Sequence, residues 1–243
     1  MSRIYISHGD KGGVGKSVVS MLLVEMLLGL DRPVALVEAD PTQPDVAARY
    51  AGDGDVLIGA LSLNRAGDAE NALSRFGDWL ESAGEGRDVV VNLPAGAGET
   101  LDSLGDLIAG LAEALNYGLT VVYSLEKNSV AAESAAASFV SGLMSYVPHP
   151  GRWIVYPAYK GEPRDFAWHT HPGRAESHAR EIVIPRLGNS SALRKFEGTP
   201  GRVAQLIDRA ARPEGWSVLD QMSVYRWARQ SFDAVAPVVE VEV

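Results

Sequence analysis

His8-Gly9-Asp10-Lys11-Gly12-Gly13-Val14-Gly15-Lys16-Ser17 lies between two apolar stretches, and its reading decides the fold. Before it runs Ile4-Tyr5-Ile6-Ser7, short and β-prone, which reads as a buried strand. After it come residues 18–30, whose only polar side chains are Ser20 and Glu25, and these read as a helix closed near Gly29. A strand, a glycine-rich loop and a helix in that order form the setting of a phosphate-binding loop. Glycine lets the backbone turn its N–H groups onto phosphate oxygens, and the helix beginning near Ser17 adds its positive dipole end. In such a loop Lys16 reaches the β- and γ-phosphates and the Ser17 hydroxyl ligates Mg²⁺. Gly12, Gly13, Val14, Gly15, Lys16 and Ser17 are therefore the candidate nucleotide-binding residues.

The rest of the chain repeats the alternation. Residues 33–38 form a second strand, continuously apolar as far as Glu38, as strands covered on both faces are. It runs into Ala39-Asp40-Pro41-Thr42-Gln43-Pro44-Asp45. Further strands are predicted near 56–58, 88–92, 119–124, 153–156 and 182–185. Helices are predicted over 69–80, 101–115, 131–143, 191–196, 202–212 and 219–232, with the tail 238–243 frayed or added as an edge strand. Strands alternating with helices imply a mostly parallel sheet flanked by helices on both faces, an α/β fold. No repeat or linker divides the 243 residues, so one domain is expected over 1–243. Ligands of such sheets sit outside the carboxyl ends of the strands.

Composition narrows the function. There is no cysteine, which excludes disulfides, thiolate-bound zinc and iron–sulfur clusters and suits a reducing, cytoplasmic setting. No leader pattern opens the sequence, and no apolar run is long enough to span a bilayer, so neither secretion nor membrane binding is expected. The net charge of -9 is uneven: residues 1–150 carry nine Lys and Arg against twenty Asp and Glu, while residues 174–212 carry eight against four. Such asymmetry is the footprint of a polyanion-binding face, and Arg194, Lys195 and Arg202 are its candidates. Trp168-His169-Thr170-His171 reads as a polar loop, because no ligand set accompanies it at metal-site spacing.

Asp10 stands where the usual phosphate loop has its first glycine, and a second lysine, Lys11, follows. Lys11-Gly12-Gly13-Val14-Gly15-Lys16-Ser17 resembles the deviant Walker A motif of the ParA/MinD family of P-loop ATPases. The resemblance implies ATP and Mg²⁺ as cofactors, and a homodimer formed with ATP in which Lys11 crosses to the partner's nucleotide. It implies that Asp40, on the strand-end Asp-Pro pattern, positions the attacking water. It aligns Asn92-Leu93-Pro94-Ala95-Gly96 with the family's Walker B region, where Asn92 replaces the Asp that holds a metal-bound water. Slow hydrolysis is expected from that exchange, and Asn92→Asp is expected to raise it. Pro185 aligns with the closing strand and loop that frame the adenine, whereas Tyr156-Pro157-Ala158 stands where relatives often carry an Asn.

The functional expectation is thus a ParA-like ATPase, a dimerisation switch in plasmid or chromosome partition or a related DNA-transfer or positioning process. Non-specific DNA and a small DNA-binding protein are the expected partners, and the sequence starts without the helix-turn-helix extension of larger relatives. A hydrolysis-deficient ATP-binding dimer module is the alternative, favoured by Asn92. An ATP-dependent synthetase or amidase of the same superfamily is disfavoured by Lys11.

Overall fold

A computed structural model describes residues 1–9, 11–39, 44–61 and 68–240. Seven strands make one sheet: β1 (Arg3–His8), β2 (Val34–Glu38), β3 (Val56–Ala60), β4 (Asp88–Asn92), β5 (Gly118–Ser124), β6 (Arg152–Pro157) and β7 (Arg180–Ile184). Their spatial order is β3-β2-β4-β1-β5-β6-β7, and each neighbouring pair is parallel. Parallel neighbours need a crossover, and the helices of those crossovers cover both faces.

Strand alternation assigns the two cores. On one face Ile4, Ile6, Val37, Val91, Val121 and Ile154 pack under α3 (Ala69–Trp79), α4 (Gly98–Ser103), α5 (Gly105–Ala114), α6 (Ser129–Ser141) and α7 (Leu143–Tyr146). On the other, Tyr5, Leu36, Val90, Val122 and Val155 pack under α1 (Lys16–Gly29), with α2 (Asp45–Arg49), α9 (Ser190–Gly198), α10 (Val203–Leu206) and α11 (Val218–Val239) around it. A short α8 (Gly173–Glu176) precedes β7. Helix α1 is apolar on most sides because the sheet and α11 both bury it.

Three helical expectations change. The helix read over 101–115 is two, α4 and α5, broken at Leu104. The Asp102 carboxylate accepts from the Leu143 amide (2.8 Å) and the Ser138 hydroxyl (2.6 Å), and a Cβ on Gly105 would lie 2.9 Å from the Leu143 Cα. The break lets α7 dock there. The helix read over 202–212 ends after one turn, α10, because the Gln221 amide of α11 takes the Leu206 and Asp208 carbonyls. Of the tail read as a frayed end or edge strand, Val238 and Val239 belong to α11, while 241–243 lie outside the described residues. Val235, Val238 and Val239 bury at helical spacing, which carries α11 to that point.

Candidate functional site

Loop 9–17 springs from the carboxyl end of β1, the middle strand of the sheet. Gly9, at φ +142°, lies so close to β5 that a Cβ would meet the Ser124 carbonyl oxygen at 2.7 Å. Gly15 caps α1 in the left-handed region at φ +94°, a conformation that costs glycine little. The Ser7 hydroxyl donates to the Lys16 carbonyl (2.9 Å) and fixes the first turn of α1 to β1. The leading N–H groups of that turn have no intrahelical acceptor.

Lys16 is buried, and its ammonium donates to the carbonyls of Lys11 (2.9 Å) and Gly9 (3.2 Å). The ammonium thus sits inside the curl of the loop, where a phosphate oxygen would compete with two neutral carbonyls for it. Ser17 is half-buried beside it. Among the described residues no three His, Cys, Asp or Glu side chains gather to hold a metal. Ser17 on the loop suits a Mg²⁺ carried mainly by phosphate oxygens and water.

Lys11 is exposed on the outer rim of the loop. Burial opposes the charge on nearby Glu126, but the Lys160 ammonium (2.6 Å), the Lys127 amide and, more distantly, Lys11 hold its carboxyl below the usual range. Gly12 abuts the loop after β4, since a Cβ on it would touch Ala95 at 3.4 Å. Asp10 and Asp40, with the rest of 40–43, lie outside the described residues.

Asn92 ends β4 beside the end of β2, in register with Glu38. Its amide nitrogen donates to the Glu38 carboxylate (2.8 Å), and its carbonyl oxygen accepts from the Ser20 hydroxyl (3.1 Å), all three being buried. Glu38 also accepts from the Ala47 amide of α2 (3.3 Å). This geometry alters the expectation for Asn92→Asp. An acid at 92 would face the Glu38 carboxylate at hydrogen-bond distance in a dry site, where two such groups cannot both ionise. The carboxyl group of this corner is Glu38, and Asn92 is the neutral side chain that donates to it. Neither Ser20 nor the pairing of Glu38 with Asn92 could be read from the sequence, because it joins strands 54 residues apart.

On the other side of the loop the turn after β6 supplies Tyr159. Its hydroxyl donates to the Gly13 carbonyl, and its ring faces Gly15. The Ala158 amide donates to the Ile184 carbonyl (2.9 Å), which brings this turn beside Pro185. Pro185 itself accepts from Trp227 Nε1 (2.9 Å) through its carbonyl. No pattern in the sequence singled Tyr159 out.

The three nucleic-acid candidates differ in their commitments. Lys195 pairs with Asp220 (2.7 Å), and Arg202 clasps Asp53 (2.5 Å) and Asp55 (2.6 Å). Arg194 is exposed, as are Arg209, Arg212, Arg226 and Arg229. In the loop 168–171 Trp168 is fully buried against Phe139 and His171, a packed aromatic layer. No helix among the described residues is long and apolar enough to cross a membrane.

No family model matches the chain. It is 24% identical to Protein MobD of Acidithiobacillus ferrooxidans over 210 residues, covering 79% of this chain and 87% of that one. It is similar in structure to the cell division ATPase MinD of Pyrococcus furiosus, with a TM-score of 0.54 at 17% identity over 95% of this chain and 98% of that chain. The septum site-determining protein MinD of Pyrococcus horikoshii, complexed with Mg-ADP, gives the same TM-score and identity over 94% and 95%. With β1 central, a lysine folded into the loop that follows it, and helices on both faces of an all-parallel sheet, the chain has the α/β fold of the MinD-type P-loop ATPases.

Proposed function

We propose that residues 1–243 form a single ParA-like nucleotide-binding domain, an ATPase that uses Mg-ATP as a dimerisation switch. The observation that carries this reading is the buried Lys16 ammonium, held on the loop's own carbonyls one strand away from the Glu38–Asn92 pair. Lys16 exchanges those carbonyls for β- and γ-phosphate oxygens, and the N–H groups at the start of α1 bind the same anion. Ser17 holds Mg²⁺, which when bound neutralises charge on the phosphates. Asn92 and Glu38 act from behind, holding Ser20 on α1 and the amide of Ala47. Asp40 orients the attacking water. Turnover is slow, because Asn92 stands where relatives carry the Asp that holds a metal-bound water. The MinD structure with Mg-ADP supports the choice of nucleotide and metal.

Lys11, exposed on the rim, reaches the nucleotide of a second copy. The switch serves plasmid or chromosome partition or DNA transfer, and the likeness to MobD favours DNA transfer. Non-specific DNA and a small DNA-binding protein are its partners. In sedimentation the protein is expected to be monomeric without nucleotide and dimeric with a non-hydrolysable ATP analogue. Lys11→Ala is expected to bind ATP with parental affinity and remain monomeric; a variant that dimerises like the parent removes the trans-lysine role. The hydrolysis-deficient alternative rests on Asn92, and a measurement of ATP turnover with and without DNA separates the two.

A further inference from the structure

The sheet order gives the loop a direction. The strands that end in Glu38 and Asn92 lie on one side of β1, whereas β5, β6 and β7 lie on the other. On the proposed reading, a triphosphate stretched across loop 9–17 turns its γ end toward Glu38 and Asn92. Its nucleoside then leaves over the ends of β6 and β7. Tyr159 stands on that path, between the loop and Pro185. It is about half exposed, at 46%, although one edge of its ring faces Gly15 and its hydroxyl is bound to Gly13. The Lys160 ammonium lies 5.5 Å from the ring centroid and is itself anchored on Glu126, which steadies the phenol. Burial and the Glu126 charge push the Tyr159 hydroxyl up to about 12, so at neutral pH it is a donor.

The geometry points to Tyr159 as the nucleoside contact of this site and as a latch on its loop, a donor that competes with phosphate for Gly13, an inference that rests on the proposed nucleotide binding. Two donors hold the loop's carbonyls: Lys16 on Gly9 and Lys11, and Tyr159 on Gly13. Phosphates that draw Gly13 and its neighbours around themselves must release the Tyr159 bond. The ring stays as a flat apolar surface for the sugar and base of a nucleoside triphosphate. Stacking on a π-face tolerates any purine, so ATP and GTP gain alike from it.

The two roles separate in two variants. Tyr159→Phe loses the latch and keeps the ring; Tyr159→Ala loses both. Titration of ATP, GTP and inorganic tripolyphosphate into parent and variants reads them out, with melting curves to check that both variants fold. Tyr159→Phe is expected to bind all three probes about two- to tenfold more tightly than the parent, the worth of one neutral hydrogen bond. Tyr159→Ala is expected to bind ATP and GTP about tenfold more weakly than Tyr159→Phe, the worth of one stacked base. Tripolyphosphate, which has no base, is expected to bind these two variants equally. Equal ATP affinity in Phe and Ala variants overturns the nucleoside contact, and an unchanged or weakened Tyr159→Phe overturns the latch. A parent that binds none of the three probes overturns the proposed function itself, and this inference with it.

Discussion

At the scale of single residues, the corner formed by Ser20, Glu38 and Asn92 departs most from what its letters suggest. An Asn in a Walker B position reads as a lost charge. In the fold it is the donor that stabilises a buried carboxylate one strand away, while Ser20 fixes its amide orientation. Asn92→Asp is therefore expected to destabilise the protein, because two acids forced together must share a proton. Losing a buried charge-assisted bond costs about 2–3 kcal/mol, or roughly 5–10 °C in melting temperature for a chain of this size. Glu38→Gln combined with Asn92→Asp restores one donor and one carboxylate with the polarity reversed, and is expected to recover most of that loss. A double-mutant cycle followed by thermal denaturation measures the coupling. If Asn92→Asp alone melts like the parent and hydrolyses ATP faster, the pairing with Glu38 carries no weight.

At the scale of elements, α2 is stitched to the C-terminal third of the chain. The Arg49 guanidinium donates to the carbonyls of Phe196 (2.7 Å) and Gly201 (3.1 Å) and lies 4.4 Å over the Phe196 ring. Beneath it, Glu25 of α1 accepts from the amides of Val203 (2.7 Å) and Ala204 (3.2 Å) and from the Tyr50 hydroxyl (3.0 Å). Glu25 thus caps α10 and joins three helices at one carboxylate. Glu25→Ala leaves those donors buried without an acceptor and is expected to cost about 3–5 kcal/mol in denaturant unfolding. Burial raises the Glu25 carboxyl above its ordinary value, with the amide and phenol bonds only partly offsetting it. A raised carboxylate adds stability that is complete below its unfolded value and is lost as pH rises through the folded one. Glu25→Gln does not titrate, so its deficit against the parent is expected to be larger near pH 4 than near pH 8. A deficit that grows with pH would show that the carboxylate is favoured in the fold as an ion.

At the scale of the whole molecule, the sheet order sorts function by side. The β2 and β4 ends carry the acid and amide, the β6 and β7 ends carry Tyr159 and Pro185, and β1 sends its loop between them. The charge asymmetry of the sequence survives folding only in part. Lys195 and Arg202 are spent on Asp220, Asp53 and Asp55, which leaves Arg180, Arg186, Arg194, Arg209, Arg212, Arg226 and Arg229 among the exposed cations of that half. If this half binds DNA with ATP present, affinity is expected to fall steeply with salt, because phosphate contacts release counterions. Arg194→Glu with Arg209→Glu is expected to weaken binding to every sequence alike and to flatten that salt dependence. Lys195→Ala is expected to act mainly on stability, by freeing Asp220 at the capped start of α11. No binding at low salt with ATP removes nucleic acid as a partner.

The sequence by itself determined the α/β class, the glycine-rich loop between the first strand and the first helix, and the buried strands. Those features are written in local patterns: an apolar run before Gly9, glycines at 9, 12, 13 and 15, and a helix apolar on most sides. It marked Lys16, Ser17 and Lys11 for the same reason, since the loop that holds them is contiguous. It misjudged element ends where a distant side chain decides them. Gln221 ends α10, Asp102 with Leu143 splits α4 from α5, and the packing of Val235, Val238 and Val239 carries α11 to Val239. Only the tertiary structure could pair Asn92 with Glu38, lay Tyr159 on Gly13, or withdraw Lys195 and Arg202 from the charged surface. Each of these is a contact between residues more than twenty positions apart, and hydrogen bonds and ion pairs at that separation leave no periodic trace in the chain.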